Sequence, residues 1–433
     1  MVREHPRNQN LLFAGTEFGL WVSWDRGANW SAFKNNYPNA PVDDIEIQAR
    51  ENDLVLGTHG RSIWVFDDLM PVEKMDAGVA ASEITFFAPR PGTTWHMRNR
   101  RWSAGQKMFT GKNPPYGTIL NYYLKEAVPP EAAKAAKSEK GDEDKPAAND
   151  KAKETSAAKK EGKVKISVFN KDGNLVREFD GPGAAGVNRT NWDLRWNSPA
   201  EPTAEQLEAM AAGYGFGPRG PFVERGEYTL KIKAGEKSAE QKAVVEEDSR
   251  VTISDADRAA RRAAIEQLYA LAKTTDKGRK AIVGIKNALK AARDQWKKDE
   301  GKPNSPKIPE DIQKAAEELQ KKVDAVAEKF AREREGLGNA GPPFEWKPDP
   351  LPDQVQNLLE DQDGYVAAPN SQQKEKLAEL APLVSEASAQ VKKIADEDLP
   401  ALNKKMNDAG IPHIVPASTP PRRGDGDEEE SDR

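Results

Sequence analysis

Cysteine is absent from the 433-residue chain, which excludes disulfides, thiolate metal sites and cysteine nucleophiles. Only four histidines are present, too few for histidine-rich metal clusters. No apolar run reaches the length of a membrane-spanning helix, and the opening residues Met1-Val-Arg-Glu-His-Pro are polar, without the apolar core of a signal peptide. Neither sign of charge dominates: 65 Lys and Arg against 70 Asp and Glu leave a net charge of −5. No global field therefore draws the chain to nucleic acid or to anionic lipid. Apolar residues are scarce at 37%, with 31% charged, a more polar balance than a single compact enzyme carries. Part of the chain is accordingly expected to be extended, helical and solvent-facing, or disordered. The chain also shows no Walker loop, no dinucleotide-type glycine turn between a strand and a helix, no H-E-x-x-H and no G-x-S-x-G. No metal or cofactor is expected.

What is present is one motif written twice. The first copy reads Leu11-Leu-Phe-Ala-Gly-Thr-Glu-Phe-Gly-Leu-Trp-Val-Ser-Trp-Asp25, the second Leu54-Val-Leu-Gly-Thr-His-Gly-Arg-Ser-Ile-Trp-Val-Phe-Asp67. Gly15-Thr16 recurs at Gly57-Thr58 and Trp21-Val22 at Trp64-Val65. Short strands repeating with a period of about 40–45 residues are the signature of propeller blades. Between the copies lies Ser23-Trp-Asp25-Arg-Gly27-Ala-Asn-Trp30, which fits S-x-D-x-G-x-x-W. Such an octet reads as a hairpin clip: Asp25 accepts backbone N–H bonds across the turn, Gly27 takes positive φ, and Trp30 buries its ring on the next strand.

This octet, inside a strand-turn-strand repeat, resembles the Asp box of sialidase-like and sortilin-like propellers, also known as the bacterial neuraminidase repeat. Its usual role there is structural, which makes Ser23, Asp25, Gly27 and Trp30 structural residues. The chain as a whole resembles the C-terminal part of large secreted proteins of that type, often labelled glycosyl hydrolases. The resemblance implies a periplasmic or extracellular location and upstream blades, and the chain's opening inside a repeat agrees with an export signal lying further upstream.

In chain order, strands are expected near 10–16, 19–24, 29–34, 42–49, 53–58 and 62–67, which makes residues 1–70 terminal propeller blades. Residues 71–117 read as a crossover linker, with the basic, Trp-bearing stretch Trp95–Trp102 packing on a neighbour. Residues 118–250 show alternating short strands and an Asp172-Gly173 hairpin, a β-sandwich. Its late Gly-Glu-Tyr-Thr strand looks like the immunoglobulin-like domain of flagellar hook-capping proteins. An insertion at 131–162 has no Val, Ile, Leu, Met or aromatic residue and is expected to be disordered.

From Ser254 the apolar period changes to helical. One helix carries Ile265, Leu268 and Ala272 and is expected to break at Asp276-Lys-Gly278. A second carries Ile282, Ile285, Leu289 and Trp296, a third Ile312 to Phe330, and a fourth Leu377 to Ile394. Residues 251–410 are therefore an antiparallel helical bundle. Gly336–Pro352 is expected to be a linker and 411–433 a disordered tail. The expected fold class is multidomain β plus α: partial propeller, immunoglobulin-like sandwich and bundle.

The hairpins at Glu17-Phe18-Gly19 and His59-Gly60-Arg61 emerge at the end opposite the clip, where connections between blades also bring Asp43 and Asp44. Glu17, Asp43, Asp44, His59 and Arg61 are therefore the candidate ligand-binding residues. A carboxylate beside Arg and His suits an acidic sugar or general acid/base work; equally, these are solvated turn residues and ion pairs that lock adjacent blades. The arginine trio with Tyr and Glu that sialidases use is missing, so sialidase activity is not carried over. No catalytic residue is assigned. The expected role is a non-catalytic binding or scaffold protein with a protein or glycan partner. The alternative is a glycoside hydrolase whose main catalytic residues lie upstream. Asp361-Gln-Asp363-Gly-Tyr lacks the later ligands of a calcium loop and reads as a helix-ending turn.

Overall fold

The computed structural model describes residues 1–34, 36–96, 115–130, 162–212, 217–300, 308–331 and 348–416. The expectations for the insertion 131–161, the basic stretch beyond His96, the linker up to residue 347 and the tail from 417 lie outside these residues. The fold is mixed β and α, 39% helical and 28% strand. It forms two compact units: Met1–Arg195 with Val223–Asp248, and Trp196–Phe222 with Ser249–Arg433.

The first unit opens with an antiparallel sheet of β1 (Val2–His5), β2 (Asn8–Thr16), β3 (Gly19–Ser23) and β4 (Ser31–Phe33), hydrogen-bonded in that order. A second sheet follows in the order β5 (Val42–Gln48), β6 (Asp53–Thr58) and β7 (Ile63–Phe66). The repeat is kept in register: Gly15 lies opposite Leu20 and Ala14 opposite Trp21, as Gly57 lies opposite Ile63 and Leu56 opposite Trp64. β1 has no strand signature, because Val2-Arg-Glu-His5 is short and polar, yet it pairs along β2. The first sheet thus has one strand more than expected.

The two sheets pack through opposite sides of the repeat. Leu11, Phe13, Leu20 and Val22 of the first share a core with Ile45, Ile47, Leu54 and Leu56 of the second. By register Leu20 matches Ile63 and Val22 matches Val65. Leu20 and Val22 are 2% and 1% exposed, whereas Ile63 and Val65 are 69% and 52% exposed. The second sheet therefore meets the first with the side that the first turns away. Gly15 sets how closely they approach, since a Cβ there would lie 2.8 Å from Val42 Cγ1.

After α1 (Met70–Lys74) and α2 (Ala77–Ala81) come β8 (Ile84–Phe86) and β9 (Gly92–Thr94). The expected crossover 71–117 thus supplies strands to two further sheets. β8 pairs with β10 (Thr118–Leu124), which pairs with β13 (Gly186–Trp192). β9 runs parallel to β15 (Lys237–Glu247) at the edge of a sheet that continues through β14 (Gly226–Ala234), β11 (Lys163–Phe169) and β12 (Leu175–Pro182). The Asp172-Gly173 hairpin joins β11 and β12 as expected, with Gly173 at φ +78°.

The second unit begins with α3 (Ala204–Ala211), started by a Thr203–Gln206 capping box. α4 (Asp255–Asp299) then runs 45 residues without interruption, capped by Ser254 through the Asp257 amide as expected. No break occurs at Asp276-Lys-Gly278, against the expectation. Gly278 instead admits a neighbour: a Cβ there would lie 2.6 Å from the Phe330 ring, so the glycine serves a helix crossing. α5 (Glu310–Phe330) and α6 (Leu351–Asp363) follow, the latter starting inside the stretch expected to be linker. α7 (Ser371–Lys393) passes through a π-helical turn, Ile394–Asp398, into α8 (Leu399–Asp408). Pro400 just beyond this turn has no N–H to donate, a local cause for the irregularity. Ile411 and Ile414, expected to begin a disordered tail, are buried at 3% and 4%. Asn403 holds them by donating to the Ile414 carbonyl and accepting from its amide at 2.9 and 2.7 Å.

Candidate functional site

At the clip, Ser23 Oγ donates to Asp25 Oδ1 at 2.8 Å and accepts the Gly27 N–H at 2.8 Å. Asp25 Oδ1 in turn accepts the Asn29 N–H at 2.8 Å, and the Asn29 amide donates to Oδ2 at 2.7 Å. The Asn29 backbone bond, its side-chain bond and the Ser23 hydroxyl hold the Asp25 carboxyl below its ordinary value. Arg26 and Gly27 take φ +58° and +89°. Trp30 departs from expectation. Its indole stays 36% exposed and donates to the Gly27 carbonyl at 3.0 Å, because β4 starts one residue later and the ring lies along the turn.

At the opposite end the five candidates divide. Asp43 occupies an irregularity in the β5–β6 pairing, between Val42 and Asp44, which turns its carboxylate toward His59. Asp43 Oδ2 and His59 Nδ1 lie 3.4 Å apart, both well exposed. The His59 amide donates to the Pro41 carbonyl at 3.0 Å, fixing the β6–β7 turn against the chain entering β5. Asp44, within β5 like Asp43, faces Arg3 at 3.7 Å, and Arg3 also reaches Glu46 at 3.4 Å. Glu17 and Arg61 are exposed turn residues; the Arg61 carbonyl accepts the Trp64 indole at 3.0 Å. Phe18, next to Glu17, is 75% exposed. The structure therefore brings Asp43 and His59 together, assigns Asp44 to an ion pair, and leaves Glu17 and Arg61 on the open turns.

A second constellation has no signal in the sequence. His5 is fully buried, with Nε2 2.8 Å from Asn52 Oδ1. His5 Nδ1 accepts the Arg7 N–H at 3.3 Å, so in the neutral ring the proton sits on Nε2 and is donated to Asn52. The Asn52 amide donates to Glu73 Oε2 at 3.0 Å, and Arg7 reaches the same oxygen at 3.2 Å. Burial opposes ionisation of Glu73, but the Lys74 hydrogen bond and the Lys74, Arg7 and His5 charges outweigh it and lower its pKa. A His–Asn–carboxylate relay has the parts for acid/base work, but solvent does not reach the imidazole. It functions as a clamp joining the end of β1, the β5–β6 turn and α1.

Beside it, Asp68, at φ +58°, accepts the Asn121 amide at 2.6 Å. Arg189 donates to Asn121 Oδ1 at 2.9 Å and to the Asp67 carbonyl at 2.7 Å. These bonds tie the repeat sheets to β10 and β13.

In the helical unit, Arg261 and Asp363 form a buried pair, each side chain 7% exposed. Asp363 ends α6 as expected, and its carboxylate faces an arginine. A cavity of about 420 Å³ is lined by Thr203, Asp276, Arg279, Phe330 and Pro350. Of its lining charges, Asp276 holds Arg279 at 2.7 Å and also reaches Lys280 at 2.8 Å. Among the described residues no cluster of His, Asp or Glu has metal-site geometry, and no helix is long and apolar enough to cross a membrane. No protein-family model matches the chain, and no curated protein sequence matches it.

Proposed function

We propose that the two repeat sheets are Asp-box blades from the end of a β-propeller, and that the chain is a non-catalytic binding or scaffold module. In this reading β8–β15 form an immunoglobulin-like sandwich, the helical unit is an accessory bundle, and the chain is the C-terminal portion of a larger secreted protein. One observation carries the reading: two sheets with equivalent residues in equivalent register stack with the same side leading. Sandwich halves bury their facing inner sides; a stack that buries Leu20 and Val22 but leaves Ile63 and Val65 open supports the reading as successive blades.

Such stacking aligns the Glu17-Phe18 and His59–Arg61 hairpins at one end. That end binds through an exposed aromatic ring, a carboxylate–imidazole pair and Arg61, a set suited to an acidic glycan. The test is titration of the chain with sialyllactose, followed by amide chemical shifts. Saturable shifts confined to these hairpins are expected, and Arg61→Ala should weaken binding by roughly tenfold or more. No shift at any hairpin residue would overturn the glycan assignment, and release of free sugar would favour a glycoside hydrolase.

A further inference from the structure

The turn between β6 and β7 carries an imidazole that the backbone orients and that solvent reaches. The His59 amide donates to the Pro41 carbonyl at 3.0 Å, and the irregularity between Val42 and Asp44 turns Asp43 toward the ring. Asp43 Oδ2 lies 3.4 Å from His59 Nδ1, the two side chains being 62% and 82% exposed. A carboxylate beside Nδ1 favours the tautomer that carries its proton there. Nε2 of the neutral ring is then a bare acceptor, which offers an acidic sugar only a lone pair. Protonation puts an N–H on Nε2 and adds a positive charge that offsets Asp43, so the same ring becomes a donor to an anion.

The other charges at this end do not change with it. Arg61 on the same turn and Glu17 on the β2–β3 turn are exposed, as is Lys34, which follows Phe33 where β4 lies opposite Leu20. Asp44 faces Arg3, which also reaches Glu46, and the Met1 ammonium donates to the Gly15 carbonyl. Between about pH 5 and 8 the imidazole is the side chain that gains or loses its charge, while a sugar carboxylate stays ionised.

We propose that His59 makes the hairpin end an acid-gated site, which takes an acidic glycan when the imidazole is protonated and releases it as the proton leaves. The inference rests on the glycan reading of this end and adds its regulation. Affinity rises as pH falls through the imidazole range and levels off below it. Linkage runs both ways, so bound glycan holds the proton on the ring to the same extent that the proton holds the glycan.

The experiment is titration with sialyllactose at about pH 5.5 and about pH 8, either side of the imidazole range, on the wild-type chain and on His59→Gln, with lactose as the uncharged counterpart. Glutamine keeps the backbone bond to Pro41 and cannot take a proton. The wild type should bind sialyllactose about three- to tenfold more tightly at the lower pH, the worth of one charge-assisted hydrogen bond at an exposed site. His59→Gln should bind with the weaker affinity at both pH values. In the wild type, the His59 ring resonances should titrate at a higher pH with saturating sialyllactose than without it. Equal wild-type affinity at the two pH values, a His59→Gln variant that keeps the difference, or a His59 midpoint that sialyllactose does not move would overturn the gate and leave the glycan assignment in place. The same pH dependence for lactose would also overturn the gate, since no charge on the ligand would then be involved. Saturable shifts at neither pH would sink the glycan assignment and the gate together.

Discussion

Asp25 and Lys280 show how single groups make stability depend on pH. The Asn29 and Ser23 bonds depress the Asp25 pKa below 3.8, so its contribution is complete above that value and is lost as pH falls through the lower folded value. A carboxyl-carbon NMR titration of Asp25 should give a midpoint under 3.8, and Asn29→Ala should move it upward. Lys280 behaves oppositely. Burial lowers its pKa, but bonds to Asp276 and Glu201 outweigh that and raise it above 10.5. Its contribution is present below 10.5 and is lost as pH climbs through the folded value. Arg261 and Asp363 are more deeply buried, and removing the Asp363 carboxylate takes a charged partner from Arg261 while its bond to the Tyr365 carbonyl stays. Asp363→Ala should therefore cost about 3–5 kcal/mol in urea unfolding of the helical unit, while the exposed Glu17→Ala should stay within about 0.5 kcal/mol of wild type.

Elements depend on contacts that a local pattern does not contain. The repeat sheets were legible because Gly-Thr and Trp-Val recur at matched positions, and Asp25 and Gly27 of the octet formed the expected turn, while Trp30 stayed partly exposed. β1 was not legible: its four residues gain strand character only from pairing with β2. The break foreseen at Gly278 fails for a related reason, because a glycine kept for an aromatic ring from another helix looks in sequence like a helix stop. Gly278→Leu should accordingly lower stability by about 1–3 kcal/mol through overpacking against Phe330, despite leucine's better helix propensity. Circular dichroism would show the helix retained and the melting temperature reduced. Of the candidate site, Asp43 and His59 were both named, but their pairing, which follows from the irregularity in the β5–β6 pairing, was not legible. The His5–Asn52–Glu73 clamp was not either, since three distant segments each contribute one ordinary polar residue.

For the whole molecule, the two compact units imply two separable cores, one of repeat sheets and the strands tied to them, the other of helices. Phe13 is fully buried where the repeat sheets meet, so Phe13→Ala should cost the first unit about 3–5 kcal/mol and leave the helical unit's transition in place. The two repeat sheets form one stacked body around a shared core. Amide hydrogen exchange read on β2 and β6 tests it most directly. Both strands should exchange slowly, with a shared opening free energy, and Phe13→Ala should lower both together. Fast exchange in one sheet while the other stays protected, or a loss in Phe13→Ala confined to β2, would contradict it.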